Sequence, residues 1–427
     1  MSLTKSGYRK RIIDDQLKKY LSAFGAVCIE GPKWCGKTWT ALNHSDSVFY
    51  VASPANNFQN RMLAELSPEL VLPGAPPRLL DEWQEVPALW DAVRFAVDQS
   101  QNRGQFILTG SATPSQKGIL HSGTGRIARL QMRPMSLFES NDSNGSISLQ
   151  KLFSVPLKPS LANEVTLVEL ITLTIRGGWP DSLELDDDVA SEVPKVYLKN
   201  VVEDDIRRID GKNRDIRKMT LLLRSLARNE STVVTNRTLQ RDMLENEEEP
   251  ISAETVSEYL NILNRLFIIE DQRAFNPNLR SSIRVGKSAK RHFIDPSLAV
   301  AALGATSERL LNDLNTYGFL FEAMCIRDLK IYAESFGAQI FHYRDDSGRE
   351  IDAVIELPDG RWGALEIKLG ANQIDEAAQE LLAIRKMMAE DPKAKTPDLL
   401  GVICGLIKFG YTREDGVMVI PITALKP

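Results

Sequence analysis

Apolar residues occur along the first third of the chain in short runs, separated by longer stretches in which they return every three or four positions. The short runs predict buried strands, and the longer stretches predict helices that cover them. This alternation is typical of an α/β domain. We expect helices over 8–24 and 87–99, and strands over 26–30, 48–51, 78–82, 105–111 and 125–130.

The pattern changes in the middle of the chain. Residues 139–164 are polar and predict a loop-rich linker, so the first domain is expected to cover residues 1–150. Helical periodicity follows over 163–228. Two further helices are predicted over 235–244 and 252–267, with an alternating hairpin after them at 266–294. Two helices followed by a hairpin indicate a winged helix, within a helical connector and winged-helix domain at 151–303.

The C-terminal stretch 304–427 has the pattern of a third, α/β domain. A helix is predicted over 315–334, followed by strands at 339–343, 350–357 and 362–369 and a helix at 373–388. Alternation along the second of these strands puts Asp352 on its polar face. Glu366 and Lys368 share the polar face of the third strand.

Composition excludes some classes of protein. The chain has 427 residues, of which 43% are hydrophobic and 26% charged, so a globular protein of two to four domains is expected. The net charge of −5 argues against a uniformly basic nucleic-acid-binding protein, but local basic patches remain possible. No apolar run approaches the roughly 18–20 residues that span a bilayer. The four cysteines are scattered without a C-x-x-C pair. Together with the lack of a long apolar run, this spacing predicts a cytoplasmic protein with free thiols and no structural zinc.

The most specific chemistry follows the first predicted strand directly. Residues 31–38 have the spacing G-x-x-x-x-G-K-T, in which backbone N–H groups and a helix N-terminus surround the phosphates of a nucleotide. Lys37 would reach the β- and γ-phosphates, and the Thr38 hydroxyl would hold Mg²⁺. A chance match in a turn is the alternative, but the preceding apolar strand argues against it. The predicted ATP-binding residues are Gly31, Pro32, Lys33, Trp34, Cys35, Gly36, Lys37 and Thr38.

Two acids end the predicted strand at 78–82, as in the motif called Walker B. Asp81 would hold Mg²⁺ through water, and Glu82 would polarise the water that attacks the γ-phosphate. The strand at 105–111 ends in hydroxyl residues, and Thr109 or Ser111 would sense the γ-phosphate; a hydroxyl-rich turn is the equal alternative. Arg126 could contact phosphate in its own or a neighbouring subunit, although a solvated arginine at a strand edge is the favoured explanation.

These motifs together resemble a known family, the predicted bacterial and archaeal AAA-type ATPases that carry a C-terminal domain of unknown function, DUF4143. The resemblance covers essentially the whole chain. It implies a P-loop fold in which the strand at 105–111, called the sensor strand, is inserted between the strand at 26–30, which precedes the G-x-x-x-x-G-K-T (Walker A) motif, and the Walker B strand at 78–82. It implies no particular cellular role. It rests on the runs GPKWCGKT, LLDEWQEVP, FILTGSATPS, GRIARLQMRPMSLFE and GGWPDSL.

The C-terminal pattern resembles the core of PD-(D/E)xK nucleases. Within that resemblance Glu322 matches the acid of the first helix, Asp352 the central acid, and Glu366 with Lys368 the E-x-K pair. The three carboxylates would then hold a second Mg²⁺ or Mn²⁺, and Lys368 would orient water or offset phosphate charge. A solvated charged face is the alternative.

DNA is a candidate partner. The second helix of the predicted winged helix, 252–267, would be the recognition helix, but the acidic residues at its start would repel phosphate. The wing at 273–291, in contrast, has six basic residues and no acid. If DNA is contacted, the wing or the C-terminal domain is the expected site; a packing module with a solvated basic loop is the equal alternative. A homo-oligomer is possible. Two hypotheses follow: a Mg²⁺-dependent ATPase that gates nucleic-acid cleavage, or a nucleotide-dependent switch that binds DNA or protein without cutting.

Overall fold

The computed structural model describes residues 3, 6–113, 119–209, 211–244, 251–278, 288–345, 347–392 and 394–427. Contacts divide the chain into two compact units. The first contains 1–134, 203–214 and 261–268, and the second contains 135–202, 215–260 and 269–427. Within the described ranges, no helix is long and apolar enough to cross a membrane. The predicted boundaries at 150 and 303 stay predictions.

The helices are numbered in chain order. They are α1 (Ile13–Ala23), α2 (Lys37–Asn43), α3 (Ala55–Leu66), α4 (Ala88–Ser100), α5 (Leu167–Arg176), α6 (Asp187–Asn200), α7 (Ile206–Arg208), α8 (Ile216–Arg228), α9 (Asn236–Leu244), α10 (Ala253–Arg265), α11 (Pro296–Leu303), α12 (Ser307–Asn312), α13 (Leu314–Ser335) and α14 (Ile374–Glu390).

The strands are numbered in the same way. They are β1 (Ala26–Glu30), β2 (Ser47–Tyr50), β3 (Arg78–Asp81), β4 (Phe106–Gly110), β5 (Ile127–Gln131), β6 (Ile147–Ser148), β7 (Ser160–Leu161), β8 (Ile269–Gln272), β9 (Lys290–Phe293), β10 (Gln339–Arg344), β11 (Glu350–Glu356), β12 (Trp362–Lys368), β13 (Leu399–Cys404), β14 (Phe409–Thr412), β15 (Met418–Pro421) and β16 (Leu425–Lys426).

The first unit is built on a five-stranded parallel sheet with the order β2-β3-β4-β1-β5. β4 therefore lies between β1, which leads into residues 31–38 (called the phosphate loop below), and β3, which ends at Asp81. This order confirms the predicted P-loop fold with the sensor strand inserted between the Walker A and Walker B strands. Because the carboxyl ends of parallel strands meet at one edge of a sheet, the three strands deliver their terminal residues to one place.

Both faces of this sheet are covered, as the short apolar runs predict. β1 is buried along its whole length. Its residues alternate between two cores: Ala26 and Cys28 pack with Trp90 of α4, whereas Val27 and Ile29 pack with Leu17 of α1. The two cores fix β1, and with it the start of the phosphate loop.

The second unit has a seven-stranded mixed sheet with the order β10-β11-β12-β13-β15-β14-β7. The predicted helix–three strands–helix succession is confirmed within two residues at each end by α13, β10, β11, β12 and α14. α14 shares a core with β12 and β13 through Ala377, Leu381, Trp362 and Val402. α13 packs against β10, β11 and β12, and the helices α5, α6 and α8 pack around α11.

Two parts of the middle region are informative. The predicted helices and hairpin are present as α9, α10 and the antiparallel pair β8–β9, in which Gln272 pairs with Lys290; the winged-helix assignment itself stays a prediction. The stretch 139–164, expected as a loop-rich linker, instead contains two short strands. β6 pairs with β16 through Ile147 and Leu425, and β7 pairs with β14. The linker composition was misleading because these strands are only two residues long.

Candidate functional site

The phosphate loop connects β1 to α2 in a backbone shape that its glycines permit. Gly36 precedes α2 with φ 99°, a left-handed conformation that a side chain disfavours. A Cβ atom on Gly31 would lie 2.1 Å from the Met132 carbonyl oxygen, so that position admits only glycine. Trp34 also has a positive φ, of 64°. When residues with left-handed and right-handed backbone conformations alternate, their successive N–H groups point toward a common centre. This is the geometry of an anion-binding nest.

Lys37 lies across this loop. Its side chain is buried, with 5% exposed, and its ammonium donates a hydrogen bond to the Pro32 carbonyl oxygen at 2.7 Å. The ammonium is thus held over the loop rather than extended into solvent. A phosphate group bound by the loop would be a stronger partner for this charge than a neutral carbonyl.

Asp81, at the end of β3, meets the first turn of α2. The Thr38 hydroxyl donates to Asp81 Oδ1 at 2.7 Å, and the Thr109 hydroxyl donates to the same oxygen at 2.7 Å. Burial raises the pKa of the Asp81 carboxyl, hydrogen bonds from Thr109 and Thr38 oppose that shift, and the neighbouring Glu82 adds to it. A buried acid beside a second acid is an environment that favours a bound cation.

Glu82 follows in a left-handed backbone conformation, with φ 59°. Its N–H donates to the Thr109 hydroxyl at 3.1 Å. Its Oε2 accepts from the Ser111 hydroxyl at 3.0 Å and from the Gln84 amide. The two candidate sensor hydroxyls are therefore both bonded to the acids, so the structure supports a positioning role for them; direct contact with phosphate stays a prediction. Gln84 was missed because an amide after a strand carries no specific signal.

Arg126 does not join this group. Its carbonyl accepts from the N–H of Ala26, the first residue of β1, so Arg126 lies at the amino edge of the sheet. The phosphate loop leaves the other end of β1, roughly 13 Å away at the usual rise per strand residue. The guanidinium instead pairs with Asp98, Nε to Oδ1, at 2.6 Å. Contact from Arg126 to a nucleotide in its own loop does not fit this geometry.

Arg11 was missed by the sequence reasoning. Its side chain is buried, and it donates to the carbonyl oxygens of Cys35, at 2.7 Å, and of Arg133, at 2.8 Å. It thereby ties the phosphate loop to the chain segment after β5. Nothing in the local sequence distinguishes Arg11 from its basic neighbours, because both of its partners are distant in the chain.

The oxygen-rich set at this edge fits a nucleotide with Mg²⁺. Hydroxyl and carboxylate oxygens are the ligands that Mg²⁺ prefers, and it usually takes only one or two protein ligands beside phosphate oxygens. Thr38 and Asp81 supply such a pair, already joined by the 2.7 Å hydrogen bond. Lys37 supplies positive charge beside them.

The second unit brings together the four residues predicted for its site. Glu322 lies on α13, Asp352 on β11, and Glu366 and Lys368 on β12. The Lys368 ammonium is 2.7 Å from Glu366 Oε2 and 3.8 Å from Asp352 Oδ2. Glu366 is 3% exposed and Glu322 is also buried, so the alternative of a solvated charged face does not hold for these two residues.

A fifth residue, which the sequence reasoning assigned to the DNA-binding wing, completes this cluster. Lys290 of β9 places its ammonium 2.8 Å from Glu322 Oε1 and 3.7 Å from Asp352 Oδ1. Burial, followed by the charge of Asp352, raises the pKa of Glu322 to about 8, against the opposing effect of Lys290. Burial and Asp352 likewise raise the pKa of Glu366. Over the described residues, no group of three or more His, Cys, Asp or Glu side chains is arranged to hold a metal ion.

The wing therefore differs from the expectation in two of its basic residues. Lys290 is buried in the acid cluster. Arg291 donates to Asn236 Oδ1 at 2.9 Å and is largely buried. Lys290 is not available to DNA phosphates in this conformation, and Arg291 is only 21% exposed. Arg273 is exposed. The remaining basic residues of the wing lie outside the described residues; they are Arg280, Arg284 and Lys287.

Comparison with protein families assigns three parts of the chain. Residues 23–141 match a family described as AAA domain. Residues 168–309 match a domain of unknown function, DUF8612, and residues 317–425 match another, DUF4143. Among curated proteins, no significant match is found.

Solved structures give distant likenesses. The Walker-type ATPase paby2304 of Pyrococcus abyssi is 13% identical over 70% of this chain and 97% of that chain, with a TM-score of 0.36. The replication initiator DnaA bound to AMPPCP and single-stranded DNA is 14% identical over 59% of this chain and 86% of that chain, with a TM-score of 0.28. A RuvB of Thermotoga maritima is 16% identical over 60% of this chain and 88% of that chain, also with a TM-score of 0.28.

The family matches thus agree at both ends with what the motifs resemble. The chain combines an AAA domain of the P-loop NTPase fold with a C-terminal DUF4143 domain.

Proposed function

We propose that this protein binds ATP with Mg²⁺ at residues 31–38 and hydrolyses it, and that it uses the nucleotide state as a switch. The observation that carries the proposal is the convergence at one sheet edge of Lys37, Thr38, Asp81 and Glu82. Thr38 and Asp81 come from elements 43 positions apart in the chain, yet their side chains are joined at 2.7 Å. A chance match to the phosphate-loop pattern would not bring a Walker B acid to this position.

Each residue has a distinct task in this proposal. The loop N–H groups and Lys37 bind the phosphates, and Lys37 moves from the Pro32 carbonyl to the β- and γ-phosphates. Thr38 and Asp81 would hold Mg²⁺, which supplies positive charge to the phosphate oxygens when bound. Glu82 orients the attacking water and accepts its proton. Since Ser111 and Gln84 both bond to Oε2 of Glu82, Oε1 is the oxygen assigned to that proton.

Contacts within the first unit support a switch. Lys33 of the phosphate loop pairs with Asp205 at 2.5 Å. Thr113, just after the sensor strand, exchanges hydrogen bonds with Arg265: its N–H donates to the Arg265 carbonyl at 2.9 Å, and its carbonyl accepts from Arg265 Nε at 3.0 Å. Arg265 is the last residue of α10, whose residues 253–260 belong to the second unit. A shift of the segment that follows the sensor strand would therefore act directly on the end of α10.

The switch hypothesis is favoured over a nuclease gated by ATP because Lys290 lies between two of the acids that would bind the nuclease metal. What the switch acts on is proposed as DNA or protein. Arg273 and the three basic residues of the wing beyond the described ranges remain the candidates for phosphate contact.

Calorimetry with ATP and Mg²⁺ tests the central claim. Lys37→Ala removes the charge proposed to bind the β- and γ-phosphates, and we expect ATP affinity to fall by at least tenfold, the effect of losing about 1.4 kcal/mol. Lys19→Ala is the matched control, since Lys19 is an exposed lysine of α1 in the same unit. Equal ATP affinity in the two variants would refute binding at this loop.

A further inference from the structure

The acid cluster of the second unit contains a cation supplied by the chain itself. We define the cluster as Glu322, Asp352 and Glu366. The Lys290 side chain is 3% exposed, and its ammonium is 2.8 Å from Glu322 Oε1 and 3.7 Å from Asp352 Oδ1. It pairs with the helix acid and the central acid, two of the three carboxylates to which the nuclease resemblance assigns a divalent metal.

A divalent metal does not fit beside this ammonium. Mg²⁺ requires nearly octahedral oxygen ligands at about 2.0–2.1 Å. Here Glu322 Oε1 is bonded to Lys290, and Asp352 Oδ2 accepts the Ile367 N–H at 2.9 Å. Glu366 Oε2 is bonded to Lys368 at 2.7 Å. One oxygen of each carboxylate is therefore already committed to a protein donor.

The charges of the cluster are also nearly balanced without a metal. The three carboxyl groups face two ammonium groups, those of Lys290 and Lys368, so at most one negative charge is uncompensated. Adding a divalent ion to this set would place it within a few ångströms of two fixed positive charges, which is repulsive in a buried site.

Lys290 is held in place by its strand. β9 pairs with β8, and Gln272 of β8 donates to the carbonyl oxygens of Phe341, at 2.9 Å, and Asp352, at 2.8 Å. His292 lies between Gln272 Oε1, at 2.9 Å, and Glu230 Oε1, at 3.0 Å. Buried hydrogen bonds of Gln272, which pairs with Lys290 across the two strands, and of His292 therefore hold β8 and β9 in place. They position the Lys290 ammonium within the cluster.

We propose that Lys290 is the resident cation of the acid cluster and takes the place of a divalent metal, so that the unit neither binds a catalytic metal nor cuts nucleic acid while Lys290 is there. Removing the ammonium leaves two buried acids, Glu322 and Glu366, and the partly buried Asp352 with one lysine. That variant should acquire a divalent-cation site. The inference concerns the second unit and does not depend on the proposed nucleotide site.

The test uses the full chain in a Lys37→Ala background, without nucleotide and with Mn²⁺ as the probe. With Lys290 intact, we expect no Mn²⁺ binding by calorimetry, no Mn²⁺-dependent rise in melting temperature and no cleavage of plasmid or single-stranded DNA. With Lys290→Met, we expect a lower melting temperature in chelator, a rise of several degrees on adding Mn²⁺, and Mn²⁺ binding that Asp352→Asn abolishes.

Lys330→Met is the matched control. Lys330 is another buried lysine of the second unit and pairs with Glu270 at 3.1 Å, so its loss should lower the melting temperature without creating a response to Mn²⁺. Mn²⁺ binding by the chain with Lys290 intact, if removed by Asp352→Asn, would overturn the proposal even if Lys290→Met failed to fold. A folded Lys290→Met variant that responds to Mn²⁺ no more than Lys330→Met would overturn it as well.

Discussion

Thr109 is the residue at which the structure changes the expected mechanism most directly. Its hydroxyl donates to Asp81 Oδ1 at 2.7 Å and accepts from the N–H of Glu82 at 3.1 Å, and its side chain is fully buried. One side chain thus fixes both Walker B acids. Thr109→Val keeps the shape of the side chain but removes both hydrogen bonds, and we expect ATP turnover to fall while ATP affinity changes little.

The size of the effect follows from the two bonds. A hydrogen bond to a charged group contributes roughly 1.5–3 kcal/mol and a neutral one about 0.5–1.5 kcal/mol. The Thr38 hydroxyl still holds Asp81 Oδ1 in the variant, so only part of that sum is lost. A loss of about 1.4–2.8 kcal/mol from the transition state lowers turnover by roughly 10- to 100-fold.

Steady-state turnover together with calorimetry for ATP and ADP distinguishes positioning from direct sensing. Positioning predicts a fall in turnover with equal, small changes in the two affinities, and recovery in Thr109→Ser, which restores the hydroxyl. Direct contact with the γ-phosphate predicts weaker binding of ATP but not of ADP. Wild-type turnover in Thr109→Val would refute the reasoning altogether.

Two further predictions concern acids. Glu82→Gln should retain ATP binding but lower turnover by roughly 10²-fold or more, because an amide cannot accept the proton from water; unchanged turnover in a single-cycle assay would exclude Glu82 as the base. Glu230 is fully buried, which raises its pKa to about 8, so folding stability should fall as the pH rises from 7 through 8. His292 does not oppose this change, since burial lowers its pKa and an unfolded histidine is neutral above about 6.5. Melting curves should show a shallower decline across that interval for Glu230→Gln than for the wild type; parallel declines would contradict the assignment.

Motifs whose residues lie close together in the chain were predictable from the sequence. The phosphate loop needs glycines and a lysine at fixed offsets after an apolar strand, and the Walker B acids need only to end another such strand. The order of the sheet then followed from the resemblance and was confirmed. The strands around Asp352 and Glu366 were predictable for the same reason, since alternation is a local property.

Partners distant in the chain were not predictable. Arg11 reaches Cys35 and Arg133, and Thr109 reaches Asp81, through contacts that only the folded sheet creates. The wing shows the limit most clearly. A run of basic residues without acids predicts a solvated, phosphate-binding surface, yet Lys290 is buried against Glu322 and Arg291 bonds to Asn236, because the partners of both residues lie on other elements.

The acid cluster shows that the sequence pattern alone does not determine which cation balances the buried carboxylates. Glu322 and Glu366 are too deeply buried to remain charged without nearby cations, because transfer of an unpaired carboxylate out of water is prohibitively unfavourable. Lys368, two positions from Glu366, is the only compensating cation that the E-x-K pattern provides. The remaining negative charge can be balanced by a bound metal or by another basic side chain, and the sequence pattern is compatible with either. Lys290 precedes Glu322 by 32 positions, so the choice became visible only when β9 was placed against α13 and β11.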